Sequence, residues 1–518
     1  MADPNLPSVI QQMLQPDFYP HPVQASIQLI QTHISYILLT GDYAYKVKKP
    51  LNFGFLDYST LEQRQHFCQE ELRLNQRGAP EIYLEVLPIT QSGSTYRLEG
   101  SGSAVEYTVK MRQFPQEAIL SQMFDRGELS AELLERLAKV IADFHLRSPT
   151  NPEILSYGQP QRVREAFDEN YEQTLAYIGG PQTQVQFDET RAYTDRFFAE
   201  KAALFEARIQ QNWIRECHGD LHLNNICLWH DELMLFDCIE FNKPFRFVDV
   251  MFDIAYIVMD LEVGQRRDLS TRFLNTYVEQ TGDWDGLAIL PIYVSRQTYV
   301  RAKVTSFLLN DPAISAVEKE KAHKRAALYY HLAWQYTQRQ QGQVILISGL
   351  SGAGKSTTAR HLAAQIGAIH IRSDAVRKHL AGIPLVQRGD DSLYTPEMTE
   401  KTYHRLQELG IKLAAEGYSV ILDAKYDRPQ RRVAVQAQAE AHGLPYHVLY
   451  CDAPADVRRS RLQFRTGDVA DATADLVASQ YFEPFTADEQ PHVQRLDATQ
   501  TVETQLTQVI PLLNAPAN

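Results

Sequence analysis

A chain of 518 residues is too long for one hydrophobic core and predicts two or three domains. With 44% hydrophobic and 22% charged residues it has ordinary globular composition, which excludes the disordered and fibrous classes. The net charge of −13 is uneven: residues from Gln343 onward carry 18 Lys+Arg and 20 Asp+Glu, and the first 342 carry 33 and 44. An acidic first part and a near-neutral second part lack the basic footprint of a protein that binds long nucleic acid. The acidic excess reads as a solvated surface, although it would also suit a cationic substrate. No apolar run is long enough to span a bilayer. The opening "MADPNLPSVIQQMLQPDFYP" lacks a basic start and an apolar signal core, so a cytoplasmic protein is expected. Cys68, Cys217, Cys227, Cys238 and Cys451 form no CxxC pair. They read as reduced thiols, and Cys217 and Cys227 read as small buried residues, not metal ligands.

Strand-like runs dominate residues 28 to 114. "ISYILLT" and "YAYKVKK" are separated by Gly41 and Asp42, a hairpin signal. In "STLEQRQHFCQEELRLNQRGAP", Ser59 and Glu62 predict a capping box, and Gly78 and Pro80 predict the helix end. The runs "IYLEVLPIT" and "EYTVKMRQF" predict two more strands. The rest, to about residue 340, reads as mostly helical and closes with "AVEKEKAHKRAALYYHLAWQYTQRQ". The polar "QRQQGQ" at 338 to 343 marks a boundary. Beyond it "VILISGL", "AIHIRSD", "SVILDAK" and "YHVLYCD" alternate with helical stretches, the pattern of a parallel sheet covered on both faces.

Two stretches carry chemistry. The first is "HGDLHLNNI" at 218 to 226. Phosphoryl transfer to a hydroxyl needs a carboxylate beside the acceptor, oxygen ligands for magnesium and a cation on the phosphates. Asp220 is the candidate catalytic carboxylate, and Asn225, five residues on, the candidate magnesium ligand. That spacing matches the protein-kinase loop H-R-D-x-x-x-x-N. Asp237, ending the apolar run in "LMLFDCIEF", is the second candidate metal ligand, and His218 is expected to tie the loop down through its ring nitrogens. In "AYKVKK", Lys46 and Lys48 share a strand face. Lys46, nearer the strand centre, is the preferred phosphate-binding cation and Lys48 the alternative. Glu71 or Glu70 on the next helix is expected to hold it. Backbone around Met111 to Gln113 is the expected adenine-facing hinge.

These motifs resemble the aminoglycoside phosphotransferase and choline kinase family, with "HGD" in place of "HRD". The resemblance spans roughly residues 30 to 335 in element order and implies a catalytic Asp220 with metal-binding Asn225 and Asp237. "RFVDVMFDIAYIVMD" also resembles the family's segment after the metal aspartate, with Asp249 and Asp253 expected as caps or loop anchors. The chain departs from protein kinases in having no G-x-G-x-x-G before Lys46. Phosphate cover must then come from the "QTHISY" and "TGDY" turns.

The second stretch, "GLSGAGKS", is G-x-x-x-x-G-K-[ST] between a strand and a helix. Gly349, Ser351, Gly352, Ala353, Gly354 and Thr357 are expected to wrap phosphate with backbone N–H groups. Lys355 would neutralise the β/γ-phosphates, and the Ser356 hydroxyl would ligate magnesium. Asp374, in "HIRSDAVRKHL", would face the acceptor hydroxyl, and Arg377 could hold an acceptor anion. Asp423 ends the third strand, in the Walker B region. "DVRRSRLQFR" offers Arg458, Arg459, Arg461 and Arg465 for a lid, with Arg461 and Arg465 on one helix face. This set resembles small P-loop kinases of the gluconate kinase, polynucleotide 5′-kinase and zeta-toxin type, from residue 343 to about 515. A mechanical AAA+ ATPase fits less well.

The whole layout, with "YAYKVKKPLNFGFLDYSTLEQRQHFCQEELRLNQR", resembles a bacterial family of bifunctional aminoglycoside phosphotransferase-like and ATP-binding proteins. The resemblance implies an α+β protein-kinase-like domain over residues 1–340 and an α/β P-loop NTPase domain with a parallel sheet over 341–518. The expected activity is ATP- and magnesium-dependent phosphorylation of small-molecule hydroxyls at two sites. The alternative is a non-catalytic N-terminal ligand-binding or sensor module. Only the P-loop domain would then be a kinase, acting on a nucleotide, a sugar or a nucleic-acid 5′ end.

Overall fold

The computed structural model describes residues 6–23, 26–338, 340–464 and 468–513. Packing divides the chain into two compact units. The first comprises Met1–Leu129, Asp143–Glu172 and Asp195–Asp260, and the second Ser130–Ala142, Gln173–Thr194 and Leu261–Asn518.

The first unit is built on strands β1 (Gln28–Gln31), β2 (Ser35–Leu39), β3 (Tyr43–Lys48), β4 (Tyr83–Ser92), β5 (Thr95–Leu98) and β6 (Ala104–Arg112). They form one antiparallel sheet in the order β1-β2-β3-β6-β4-β5. The β2–β3 hairpin turns at Gly41, whose φ of 105° suits a residue without a Cβ. Side-chain alternation sorts β3 between two environments. Tyr45 and Val47 pack with Leu6, Ile10, Met13 and Tyr19. Ala44 packs with Cys68 of helix α1 (Leu61–Asn75), and Lys46 and Lys48 share that face. The capping box of α1 is one residue later than the sequence predicts. Thr60, not Ser59, accepts from the Gln63 N–H, because the Ser59 N–H is already held by the Asp57 carboxylate.

Past the sheet come short ladders, β7 (Ile214–Glu216) with β10 (Phe247–Asp249) and β8 (Ile226–Trp229) with β9 (Glu232–Leu235). Helix α2 (Val250–Val263) follows β10 and is largely apolar, with Ile254, Ala255 and Ile257 fully buried. An antiparallel sheet with a helix on one face, followed by a loop-bearing helical part, is the protein-kinase-like α+β arrangement.

The second unit contains β11 (Gln343–Ser348), β12 (Ile369–Arg372), β13 (Ser419–Asp423), β14 (Tyr446–Asp452) and β15 (Val493–Asp497). All pairings are parallel, in the order β12-β13-β11-β14-β15. Val344 to Ile347 are completely buried in the central strand, as expected where both faces of a sheet are covered. This is an α/β P-loop NTPase sheet. The unit also takes in α3 (Arg267–Thr281) and α4 (Ala316–Gln335), which precede the polar boundary near 340. No helix among the described residues is long and apolar enough to cross a membrane.

Ile345 is wholly enclosed in the core that also holds Ile421, Leu449 and Leu362. Ile345→Ala is expected to cost about 2–5 kcal/mol of stability, read from the denaturant midpoint at unchanged slope.

Candidate active sites

Two carboxylates of α2 hold the loop at 218 to 225, and one of them, Asp260, accepts from the Leu223 N–H at 2.9 Å. Asp253 of α2 accepts from the His218 and Gly219 N–H groups, both at 2.9 Å, and contacts His145 Nε2 at 3.0 Å. Gly219 has a φ of 88°, and a Cβ there would lie 2.8 Å from the Phe245 carbonyl oxygen, so a side chain is excluded twice over. His218 ties the loop to the strand end: Nε2 donates to the Phe236 carbonyl at 2.9 Å, and Nδ1 accepts from the Asp220 N–H at 3.3 Å. Asp249 grips the buried Arg208 at 2.7 and 2.8 Å.

Asp220 presents a carboxylate 36% exposed, 3.2 Å from His222 Nε2. Asn225 donates to the Asp220 carbonyl at 3.0 Å, and its own carbonyl accepts from the Phe236 N–H at 3.0 Å. That second bond draws Asn225 alongside Asp237. Asp237 has a left-handed φ of 64°, and its side chain is 47% exposed. Asp220, Asn225 and Asp237 thus gather where strand and loop meet.

Lys46 bridges Glu71 and Asp237, with Nζ 2.7 Å from each carboxylate. Burial alone would depress the Lys46 ammonium, but Asp237 and Glu71 outweigh it and hold its pKa well above the ordinary lysine value. Lys48 takes the other Glu71 oxygen at 2.6 Å and pairs with Glu240, which also accepts from the Tyr58 hydroxyl. Both lysines therefore meet Glu71, but only Lys46 reaches Asp237. Glu70 turns away to Arg73 at 2.8 Å. Tyr58 and Glu240 escaped the sequence reading. The signal was a lone carboxylate between Ile239 and Phe241, since a charge in an apolar run needs a buried partner. The turn at 32 to 34 has no glycine and is closed by the Thr32 hydroxyl, which accepts from the Ser35 N–H at 2.9 Å. Met111 and Arg112 lie within β6, and the Gln113 N–H donates to the Asp42 carbonyl at 3.0 Å.

The second site lies at the carboxyl ends of the parallel strands, where open α/β sheets bind ligands. The Gly349 N–H donates to the Lys425 carbonyl at 3.0 Å. Gly352 has a φ of 79°, and a Cβ there would lie 2.6 Å from the Arg458 carbonyl oxygen. Gly354 caps helix α5 (Lys355–Ile366), whose first-turn N–H groups and dipole favour an anion. Lys355 Nζ folds back to the Leu350 carbonyl at 3.1 Å, and Ala353 is buried beneath the loop. The Ser351 N–H donates to Gln480 Oε1 at 3.0 Å, and Gln480 Nε2 donates to the Ser351 hydroxyl at 2.8 Å. Nothing in the sequence marked Gln480.

A cavity of 1190 Å³ brings together Ser351, Gly352, Gly354, Lys355, Ser356 and Thr357. Asp374, Arg377, Asp423 and Arg461 line the same space. Asp374 opens helix α6 (Ser373–Ala381); burial raises its pKa, moderated by Arg372. Burial lowers that of Lys355. For Asp423 burial would act upward, but the His370 hydrogen bond at 3.0 Å and the charges of His370, Lys355 and Arg372 hold it at about 2. Arg377 is anchored by the Leu393 carbonyl at 2.9 Å. On helix α7 (Ala455–Phe464), Arg461 donates to the Ala498 carbonyl at 2.6 Å, Arg458 is buried and Arg459 is exposed. Arg465 lies outside the described residues.

Residues 344–484 match a family model described as AAA domain. Uncharacterized protein Rv2004c of Mycobacterium tuberculosis (strain H37Rv) is 31% identical over 465 residues, covering 89% of this chain and 91% of that protein. The chain belongs to the family of this mycobacterial protein. An adenylyl-sulfate kinase of Myxococcus xanthus is 30% identical over 185 residues, 34% of this chain and 92% of its own length. Among solved structures, a choline/ethanolamine kinase family protein from Mesorhizobium loti aligns at 10% identity and a TM-score of 0.37, covering 64% of this chain and 99% of its own.

Two outcomes follow from these charges. Lys48→Met strands Glu240 in the interior and leaves Glu71 with Lys46 alone, so a loss of about 3–5 kcal/mol is expected, partly restored by adding Glu240→Gln; chemical denaturation reads both. The depressed Asp423 pKa contributes stability that is full above the ordinary aspartate range near pH 4 and lost as pH falls toward 2. Asp423→Asn is expected to flatten that part of the acid-unfolding curve, by about 2 kcal/mol across the window.

Proposed function

We propose that the protein is an ATP-dependent phosphotransferase with two separate ATP–magnesium sites, each phosphorylating a hydroxyl of a small molecule. The observation that carries the reading is that two unrelated folds converge on one set of parts. Lys46 pairs with Asp237, and Asn225 bonds Asp220, in one, and Lys355 shares a cavity with Ser356, Asp374 and Asp423 in the other. The similarity to an adenylyl-sulfate kinase supports kinase chemistry for the P-loop part.

Magnesium prefers hard oxygen donors. Asn225 and Asp237 offer them in the first site and the Ser356 hydroxyl in the second, and a magnesium ion held there would neutralise phosphate oxygens. The chain's own residues do the rest. Lys46 and Lys355 hold phosphate charge, and Asp220 and Asp374 accept the acceptor's hydroxyl proton. The burial that raises Asp374 makes it the better proton acceptor. Arg377 suits an anionic group on the acceptor, and Arg461 a closing lid. A reducing cytoplasm suits the five free, buried cysteines.

One observation favours the other reading, in which the N-terminal fold binds a ligand without catalysis. The turn at 32 to 34 is closed by its own threonine and offers no glycine-rich cover for phosphate. Label transfer from γ-labelled ATP into a small-metabolite extract separates the two. Asp220→Asn and Lys355→Met are each expected to remove a different labelled product, by roughly 10²–10⁴-fold. If Asp220→Asn changes nothing while Lys355→Met abolishes all labelling, the first site is a binding module.

A further inference from the structure

Strand β12 is an edge of the parallel sheet. An edge strand leaves a row of backbone donors and acceptors without a neighbouring strand. Here the side chain of Asn275, on α3, supplies two of the missing partners: its Nδ2 donates to the Ala368 carbonyl at 2.9 Å, and its Oδ1 accepts from the His370 N–H at 2.8 Å. A carboxamide is suited to this, having one donating and one accepting end. One turn along the helix, the Glu279 carboxylate lies 3.6 Å from Arg372 Nη1, and the Glu279 carbonyl meets His379 Nε2 at 2.7 Å. Four residues of helix rise about 6 Å and two residues of strand about 6.6 Å. Asn275 and Glu279 therefore step in register with His370 and Arg372.

What they touch leads into the P-loop site. The His370 ring holds Asp423 at 3.0 Å. Arg372 is buried, pairs with Asp468 as well as Glu279, and immediately precedes Ser373 and Asp374. His379 lies on α6, the helix that Asp374 opens. Asn275 and Glu279 do not line the cavity themselves.

We infer that Asn275 and Glu279 are positioning residues of the P-loop site. Helix α3 serves as the sheet's missing edge, fixing Asp423 through His370 and the Asp374 corner through Arg372. The inference rests on the kinase reading of this site. It makes the functional P-loop unit begin at α3, well before residue 341.

The test uses the full chain in an Asp220→Asn background, with Mg–ATP as the probe and water as the acceptor. Glu279→Gln keeps the shape and removes the charge; Asn275→Leu keeps the bulk and removes both hydrogen bonds. Both are expected to lower kcat on the order of tenfold with the KM for ATP within about twofold, the pattern of a misplaced reacting group. Asn275→Leu should also speed amide exchange at His370. Wild-type kcat in a folded Glu279→Gln variant overturns the inference, as does a rise in KM alone. Should Asn275→Leu fail to fold, Glu279→Gln decides. Turnover unaffected by Lys355→Met sinks the kinase reading itself, and the positioning role with it.

Discussion

The Glu71 carboxylate is sealed from water, and its two oxygens are held by two different lysines. A buried charge is tolerated only with its partners in place, and among the described residues both ion-pair partners of this one lie on β3. The arrangement fixes more than a pair of ions. Lys46 and Lys48 reach Glu71 because they share the β3 face toward α1, while Tyr45 and Val47 fill the apolar layer on the other side. A one-residue slip would put both lysines into that layer and both apolar side chains onto Glu71. Hydrophobic sorting and ion pairing thus select the same register. Lys46 is thereby aimed at Asp237, at the mouth of the loop that carries Asp220.

The P-loop site solves the same electrostatic problem differently. Its phosphate cradle is mostly backbone, with Gly352 packed so closely on the Arg458 carbonyl that any side chain would collide. The buried charges behind it are again paired, Asp423 with His370 and Arg372 with Asp468 and Glu279. Lys355 differs from Lys46. Among the described residues no carboxylate lies within ion-pair distance of it, its ammonium reaches a carbonyl, and burial draws its pKa down where that of Lys46 is pushed up. A cation that pays for burial without a carboxylate partner gains most from an arriving phosphate, whereas Lys46 already has two anions beside it.

Sequence was informative wherever the chemistry is contiguous. "GLSGAGKS" and "HGDLHLNNI" are loops whose parts lie within nine residues, and alternation placed Lys46 and Lys48 on one face. It was silent where a partner comes from far along the chain. Tyr58 meets Glu240 across 182 residues and Ser351 meets Gln480 across 129. No local period encodes such a meeting. Strands β5 and β15 escaped for another reason: they are short and largely polar, and Leu496 is the one fully buried residue of β15. The capping box of α1 shifted by one residue because Asp57 competes for the Ser59 N–H, a choice between two local hydrogen bonds that pattern alone leaves open.

The boundary near 340 shows how a change of sequence pattern and a unit of packing can part. The shift from helical spacing to short apolar strands is abrupt there, since α4 ends at Gln335 and β11 starts at Gln343. Packing nevertheless joins α3 and α4 to the parallel sheet. The reason lies at the sheet's edge. Cutting the chain at 341 would leave the Ala368 carbonyl and the His370 N–H without Asn275, and Arg372 without Glu279, on the strand that carries both into the P-loop site. Backbone groups at an edge must be satisfied by something, and here the partner is a helix that the sequence places before the boundary. A parallel sheet read as self-contained from its strands is, in its hydrogen bonding, completed by a residue 68 positions before its first strand.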